Sequence, residues 1–148
     1  MRDKFTMRGL FTVWDITRGD EILIARTPNL INTQGRTAIQ KAIQNNSPSQ
    51  LADYVVVSNA TTSPQASDTS LPATVLLGLA ATKSQPSATV MRWQATFSDT
   101  QANGSWSLFG LCNAAAGTGL IASGLLTTAI TKSSGFTWIA RYEITINW

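Results

Sequence analysis

The sequence predicts a mainly β protein, an antiparallel β-sandwich of jelly-roll-like character with one short helix near its N-terminus. Three observations carry this. The last thirteen residues alternate: Phe136, Trp138, Ala140, Tyr142, Ile144, Ile146 and Trp148 share one parity. Thr137, Arg141, Glu143, Thr145 and Asn147 share the other, with Ile139 the one exception. Successive side chains of a strand point to opposite faces, so this is one long half-buried strand. Second, several further short runs alternate or are β-branched, and turn residues separate them. Third, only one stretch has helical periodicity, Ile31, Gly35, Ile39 and Ile43 lying four apart with Ala38 and Ala42 beside them.

Taken in order, Met1–Arg8 has no clear period and reads as an extended arm carrying Arg2, Lys4, Phe5 and Arg8. Residues 9–148 then form a single domain. Residues 9–16 and 21–26 read as a hairpin, with Thr17-Arg18-Gly19-Asp20 as its turn. The helix spans about 33–45, with Asn32 or Thr33 as N-cap. Pro48 in Asn45-Asn46-Ser47-Pro48 stops it. Tyr54–Ser58 reads as a central strand buried on both faces. Residues 61–72 form a polar loop with two prolines, and 73–81 lean towards strand. Residues 89–98 alternate, and Asn103-Gly104 is a turn signal returning the chain through Ser105–Cys112. Leu120–Ser123 and Leu125–Thr131 are read as two short strands broken by Gly124, and Ser133-Ser134-Gly135 turns the chain into the closing strand.

Charge is sparse. Asp, Glu, Lys and Arg make up 13% of the chain, about half the usual share. Residues 1–41 hold seven basic and four acidic groups, and residues 42–148 hold four of each. Thr, Ser, Asn and Gln supply the polar surface instead. Such a surface fits a hydroxyl-rich soluble β protein, or a subunit largely covered by neighbours, because obligate interfaces deplete charge. The net +3 is modest and sits at the N-terminus, in Arg2, Lys4, Arg8, Arg18 and Arg26, whereas a nucleic-acid binder shows a denser basic patch with interleaved aromatics. The apolar run 75–81 is too short to span a bilayer, and Met1-Arg2-Asp3-Lys4 has no apolar segment behind it to make a signal peptide.

The residues offer no catalytic, cofactor or metal site. There is no histidine, which removes the commonest general base and metal ligand. Asp15, Asp20 and Glu21 surround the first turn, where acidic residues ordinarily serve their own backbone. Ala116-Gly117-Thr118-Gly119 lacks the Gly-Lys-Ser/Thr ending of a phosphate loop. Cys112 has no histidine partner and sits in an apolar run. Tryptophans 14, 93, 106, 138 and 148 fit core or interface positions, or sugar stacking. Arg141 and Glu143, neighbours on the polar parity of the last strand, read as a charge pair. With Trp148 they are the candidate subunit contact.

Several landmarks occur in one order. They are Asn29-Leu30-Ile31-Asn32-Thr33-Gln34-Gly35, the strand Tyr54–Ser58, the loop 63–71 with its Ser-Asp-Thr-Ser-Leu pattern, and Ala102-Asn103-Gly104-Ser105-Trp106. Phe109-Gly110-Leu111-Cys112, Gly119-Leu120-Ile121-Ala122, Ile130-Thr131-Lys132 and the closing strand follow. Over residues 29–148 this order resembles tailed-bacteriophage virion proteins: tail-collar and tail-fibre N-terminal domains and small head-decoration proteins. The resemblance implies assembly without catalysis or cofactor. The partners it implies are other copies of the chain, in an oligomer such as a trimer, and a major capsid protein or tail and baseplate proteins. It places the protein in the virion, on capsid surface or tail, after synthesis in the bacterial cytoplasm. A chain that stops at Trp148, with no shaft or receptor-binding tip, points to capsid decoration ahead of a fibre adaptor. The arm, with Arg2, Lys4, Phe5 and Arg8, is then a candidate assembly clamp.

Overall fold

The computed structural model describes residues 6–44, 52–72 and 74–147. In chain order they form β1 (Thr6–Asp15), β2 (Ile22–Pro28), β3 (Leu30–Ile31), α1 (Thr33–Ile43), β4 (Tyr54–Ser58) and β5 (Val75–Ala80). Then follow β6 (Thr82–Ser87), β7 (Val90–Phe97), β8 (Gly104–Cys112), β9 (Leu120–Lys132) and β10 (Trp138–Asn147). The strands make two five-stranded antiparallel sheets, β2-β1-β10-β7-β6 and β3-β9-β8-β4-β5. The expected antiparallel β-sandwich with one short helix is what the described residues adopt.

The closing strand β10 is the centre of the first sheet, paired with β1 over ten residues and with β7 over eight. Its apolar parity faces the second sheet. Trp138, Ala140, Tyr142 and Ile144 are buried there with Phe11 and Val13 of β1, Phe97 of β7, and Val55, Val57, Trp106, Phe109 and Leu111 opposite. Rings carry much of this core. Trp106 meets Phe97 and Trp138 edge-on, with centroids 5.0 and 5.1 Å apart, and Phe11 lies 4.5 Å from Tyr142. Edge-on and tilted geometries set positive ring edges against negative ring faces, adding attraction beyond area burial.

β4 is buried on both faces, as its β-branched run implies. Val55 and Val57 face the main core, while Val56 joins a second cluster with Leu71, Leu108, Cys112 and Leu120. That cluster lies on the outer side of the second sheet and contains Leu71, which the polar loop before β5 brings over the sheet. Leu71 N–H donates to Gly117 O at 2.9 Å, which fastens this loop to the loop between β8 and β9.

Three expectations are corrected, and one strand is found where the sequence suggested none. The first sheet begins at Thr6, where Thr6, Met7 and Arg8 pair with Asn147, Ile146 and Thr145. Thr6–Arg8 therefore belong to the sandwich and not to an arm. β9 is one thirteen-residue strand. Gly124 does not break it but lets the second sheet approach Phe11 and Thr27, which a Cβ would meet at 3.0 Å. Asn103-Gly104 does not close a hairpin. β7 lies in one sheet and β8 in the other, and Ser98–Asn103 crosses between them. The crossing is tied by Lys132, whose Nζ donates to Ser98 O at 2.6 Å and to Asn103 Oδ1 at 2.9 Å. Last, polar Thr82–Ser87, with no apolar pattern, becomes edge strand β6 because β7 offers it a ladder.

Candidate functional site and assembly surfaces

Three ion pairs join charges of the described residues. Arg92 donates to Glu143 through both Nε and Nη2, at 3.1 and 3.0 Å. Lys83 pairs with Asp53. Arg141 reaches Glu21 at 2.9 Å and Gln94 Oε1 at 2.8 Å, with its guanidinium 5.2 Å from the Trp14 ring centroid. Among the described residues no group of three or more Cys, Asp or Glu side chains is placed to hold a metal ion. Burial pushes the Cys112 thiol up to about 12, so at neutral pH it is protonated and a poor nucleophile. Tyr142 is raised by the same cause, opposed by its hydrogen bond with Asn29. No helix among the described residues is long and apolar enough to cross a membrane.

The structure redistributes the sequence-derived candidates. Arg2, Lys4, Phe5 and Trp148 lie outside the described residues. Arg8 is exposed on β1. Arg141 and Glu143 do share a face, but they do not pair with each other. Each takes a partner from a neighbouring strand, since residues directly opposite across a ladder approach more closely than i and i+2 along a strand. Arg141 is 5% exposed, so it is held within its own chain and is no free subunit contact. The outer face of β10 is covered at that point because the β1–β2 hairpin brings Trp14 and Glu21 over it. Ile139, the exception to the alternation, is buried on the same face opposite Trp14. Of the tryptophans, Trp106 and Trp138 are core residues, and Trp14 lies under Arg141.

One residue matters more than its sequence context indicates. Asn32 stands at the N-cap of α1 but makes no side-chain bond to the helix. It is fully buried, and its Nδ2 donates to Gln65 O at 2.9 Å and Asp68 O at 3.3 Å. Ser123 Oγ of β9 donates to Asn32 Oδ1 at 3.4 Å. Backbone bonds double the connection: Asn32 N–H to Ile121 O at 3.0 Å, Thr33 N–H to Ala66 O at 2.9 Å and Leu120 N–H to Thr69 O at 3.1 Å. Gly35 completes the clasp, since a Cβ there would overlap the carbonyl oxygen of Ile121. Residues 29–35, 63–71 and 119–122, far apart in the chain, thus form one unit. Sequence reading reached Asn32 only as a cap, because N-cap preference is local while the clasp is long-range.

Two surfaces are unpartnered among the described residues. The exposed large hydrophobics among the described residues are Ile22, Leu23 and Phe136. All lie at the end of the first sheet where β1 turns into β2: Ile22 and Leu23 pair with Asp15 and Trp14, and Ile16 N–H donates to Thr137 O beside Phe136. At the opposite end, α1 stands off β1 and β3 to leave a groove of about 1030 Å³. Its walls carry Leu10, Pro28, Ile31 and Ile39, and its charged residues are Arg8 and Arg36. Neither arginine has an ion-pair partner among the described residues. No protein-family model matches the chain, and no curated protein or solved structure matches it.

Proposed function

We propose that the protein is a non-enzymatic structural subunit of a tailed-bacteriophage virion, acting as a capsid decoration protein that binds the head surface in many copies. The observation that carries this reading is the clasp around Asn32. Three of the strings through which the sequence resembles phage virion proteins, 29–35, 63–71 and 119–122, are knitted there into one buried unit. Short strings that are joined in space have a shared structural reason to occur together. The low charge adds support: the polar residues are mainly Thr, Ser, Asn and Gln, a composition suited to a surface that is covered. Many weak contacts repeated over a shell hold it together by multivalency.

The second reading, within the same class, is an adaptor in a tail fibre, collar or baseplate. The resemblance to tail-collar and tail-fibre N-terminal domains favours it. A carbohydrate-binding role is more remote, because Trp106 and Trp138 are buried and Trp14 is stacked under Arg141. Expression beside the phage structural proteins, followed by electron microscopy of purified particles, separates the readings. Density over the capsomers in hundreds of copies supports decoration. Density confined to the tail supports the adaptor, and particles lacking the protein overturn both. Deleting residues 1–5, which leaves β1 whole, tests the arm: unchanged particle occupancy excludes the clamp role of Arg2, Lys4 and Phe5.

A further inference from the structure

We infer that the chain associates head to tail, the β1–β2 hairpin tip of one copy seating in the groove between α1 and β1 of the next. The two surfaces are complementary in charge and in apolar character. The tip presents exposed Arg18, Asp20 and Glu21, a net negative turn, followed directly by Ile22 and Leu23, which are 54% and 44% exposed. Glu21 already meets Arg141 but stays half exposed, whereas Asp20 has no ion-pair partner among the described residues. The groove presents exposed Arg8 and Arg36 beside Leu10, Pro28, Ile31 and Ile39, with no acidic residue among its described walls. A turn of net negative charge, in which Asp20 is the acid left free of an ion pair, leads into two aliphatics and therefore meets two cations without an ion-pair partner among the described residues around an apolar floor.

A single copy cannot satisfy this match within itself. β2 pairs with β1 from Ile22–Asp15 at the tip to Pro28–Leu10 at the groove. The two surfaces therefore sit at opposite ends of the same strands, roughly 20 Å apart at strand rise. A second copy supplies the missing partner. Because the surfaces differ, the contact is heterologous, and it closes into a ring when the rotation per copy divides a full turn.

Strand-to-strand pairing along β2 is disfavoured by its own geometry. The register shifts opposite Val13 and Trp14, with Ile24 left unpaired, and such a bulge twists an edge away from a flat neighbour. Its apolar tip is offered end-on instead. The opposite edge of the same sheet, β6, is guarded by Lys83 and Pro86 and exposes no large hydrophobic.

The association requires no virion, so its test is independent of the function proposed above. Sedimentation velocity of the full chain from about 1 to about 100 µM at low salt should show concentration-dependent self-association, a range typical of weak specific contacts. Asp20→Arg and Arg36→Asp, both at exposed positions, should each weaken it by about tenfold, as reversal of an interfacial charge does. The double variant D20R/R36D should recover most of the loss, because the pair is restored with its polarity exchanged. Salt near 0.5 M should weaken the wild type, since exposed charge pairs are screened over a few ångströms there. Ile22→Ser with Leu23→Ser should abolish association. A wild type that stays monomeric over this range overturns the inference. So do single reversals that associate like wild type, or a double variant no better than the singles. Circular dichroism confirms that each variant keeps its β-sheet spectrum.

Discussion

Replacing Asn32 by Asp tests the clasp with almost no change of shape. The amide nitrogen, which donates to Gln65 O and Asp68 O, becomes an oxygen facing two carbonyl oxygens. Two hydrogen bonds are lost, each worth about 1 kcal/mol net. An ionised carboxylate at this fully buried position also lacks a cation, and an uncompensated buried charge costs about 3–5 kcal/mol. The group escapes part of that by holding its proton, so its folded pKa lies above the unfolded value of about 3.9. The folded state then binds more protons than the unfolded state, and the variant loses stability as pH rises through that window. The expectation is a loss of about 3–5 kcal/mol relative to wild type at pH 7, falling to about 1–2 kcal/mol near pH 4, where the protonated acid donates to one carbonyl. Asn32→Ala should lose about 2–3 kcal/mol with no such pH dependence of the difference. Urea unfolding followed by tryptophan fluorescence, with Trp106 fully buried in the folded state, measures both. An Asp variant within about 1 kcal/mol of wild type at pH 7, or one whose deficit is the same at both pH values, would refute the role assigned to the amide.

Gly35→Ala decides between two opposed effects. Alanine in a helix interior gains about 1 kcal/mol over glycine, but here its Cβ overlaps Ile121 O. Chemical denaturation should show a net loss of about 1–3 kcal/mol, and a gain would mean that α1 does not press on β9. Cys112 gives an alkaline signature. Its raised pKa leaves the folded thiol protonated while the unfolded one ionises from about 9, so stability falls as pH rises from 9.0 towards 12. The thiol accounts for about 1 kcal/mol lost between pH 9 and pH 10, read as wild type minus Cys112→Ala. That difference removes the opposing contribution of Lys132, whose lowered pKa makes stability rise with pH up to its unfolded value. A difference that stays flat over this interval would mean the thiol is not held protonated. Native protein should also resist a thiol-specific reagent until it unfolds.

Elements whose evidence is local were legible without coordinates. The parity of residues 138–146 located the core face of β10, because side-chain direction in a strand alternates whatever its neighbours are; Phe136, expected on the same face, precedes the strand and is exposed. The turn at Thr17–Asp20, the helix expected over about 33–45 and found as Thr33–Ile43, and the double burial of Tyr54–Ser58 were likewise written in spacing and in residue type. The low charge was also visible there, and with it the absence of histidine chemistry. What covers a face, and which strand lies beside which, was decided only by the tertiary structure. Arg141 looked like surface and is buried, because Trp14 of β1, Gln94 of β7 and Glu21 of the β1–β2 turn converge on it. Asn103-Gly104 had the residues of a hairpin turn and makes a crossing between sheets, because β10 claims β7 and β9 claims β8. Asn32 looked like a cap and became a clasp once Gln65, Asp68 and Ser123 were brought to it. Periodicity encodes the direction of a side chain, which is set within a few residues. Its partner is set by contacts dozens of residues away, and no local pattern carries that information.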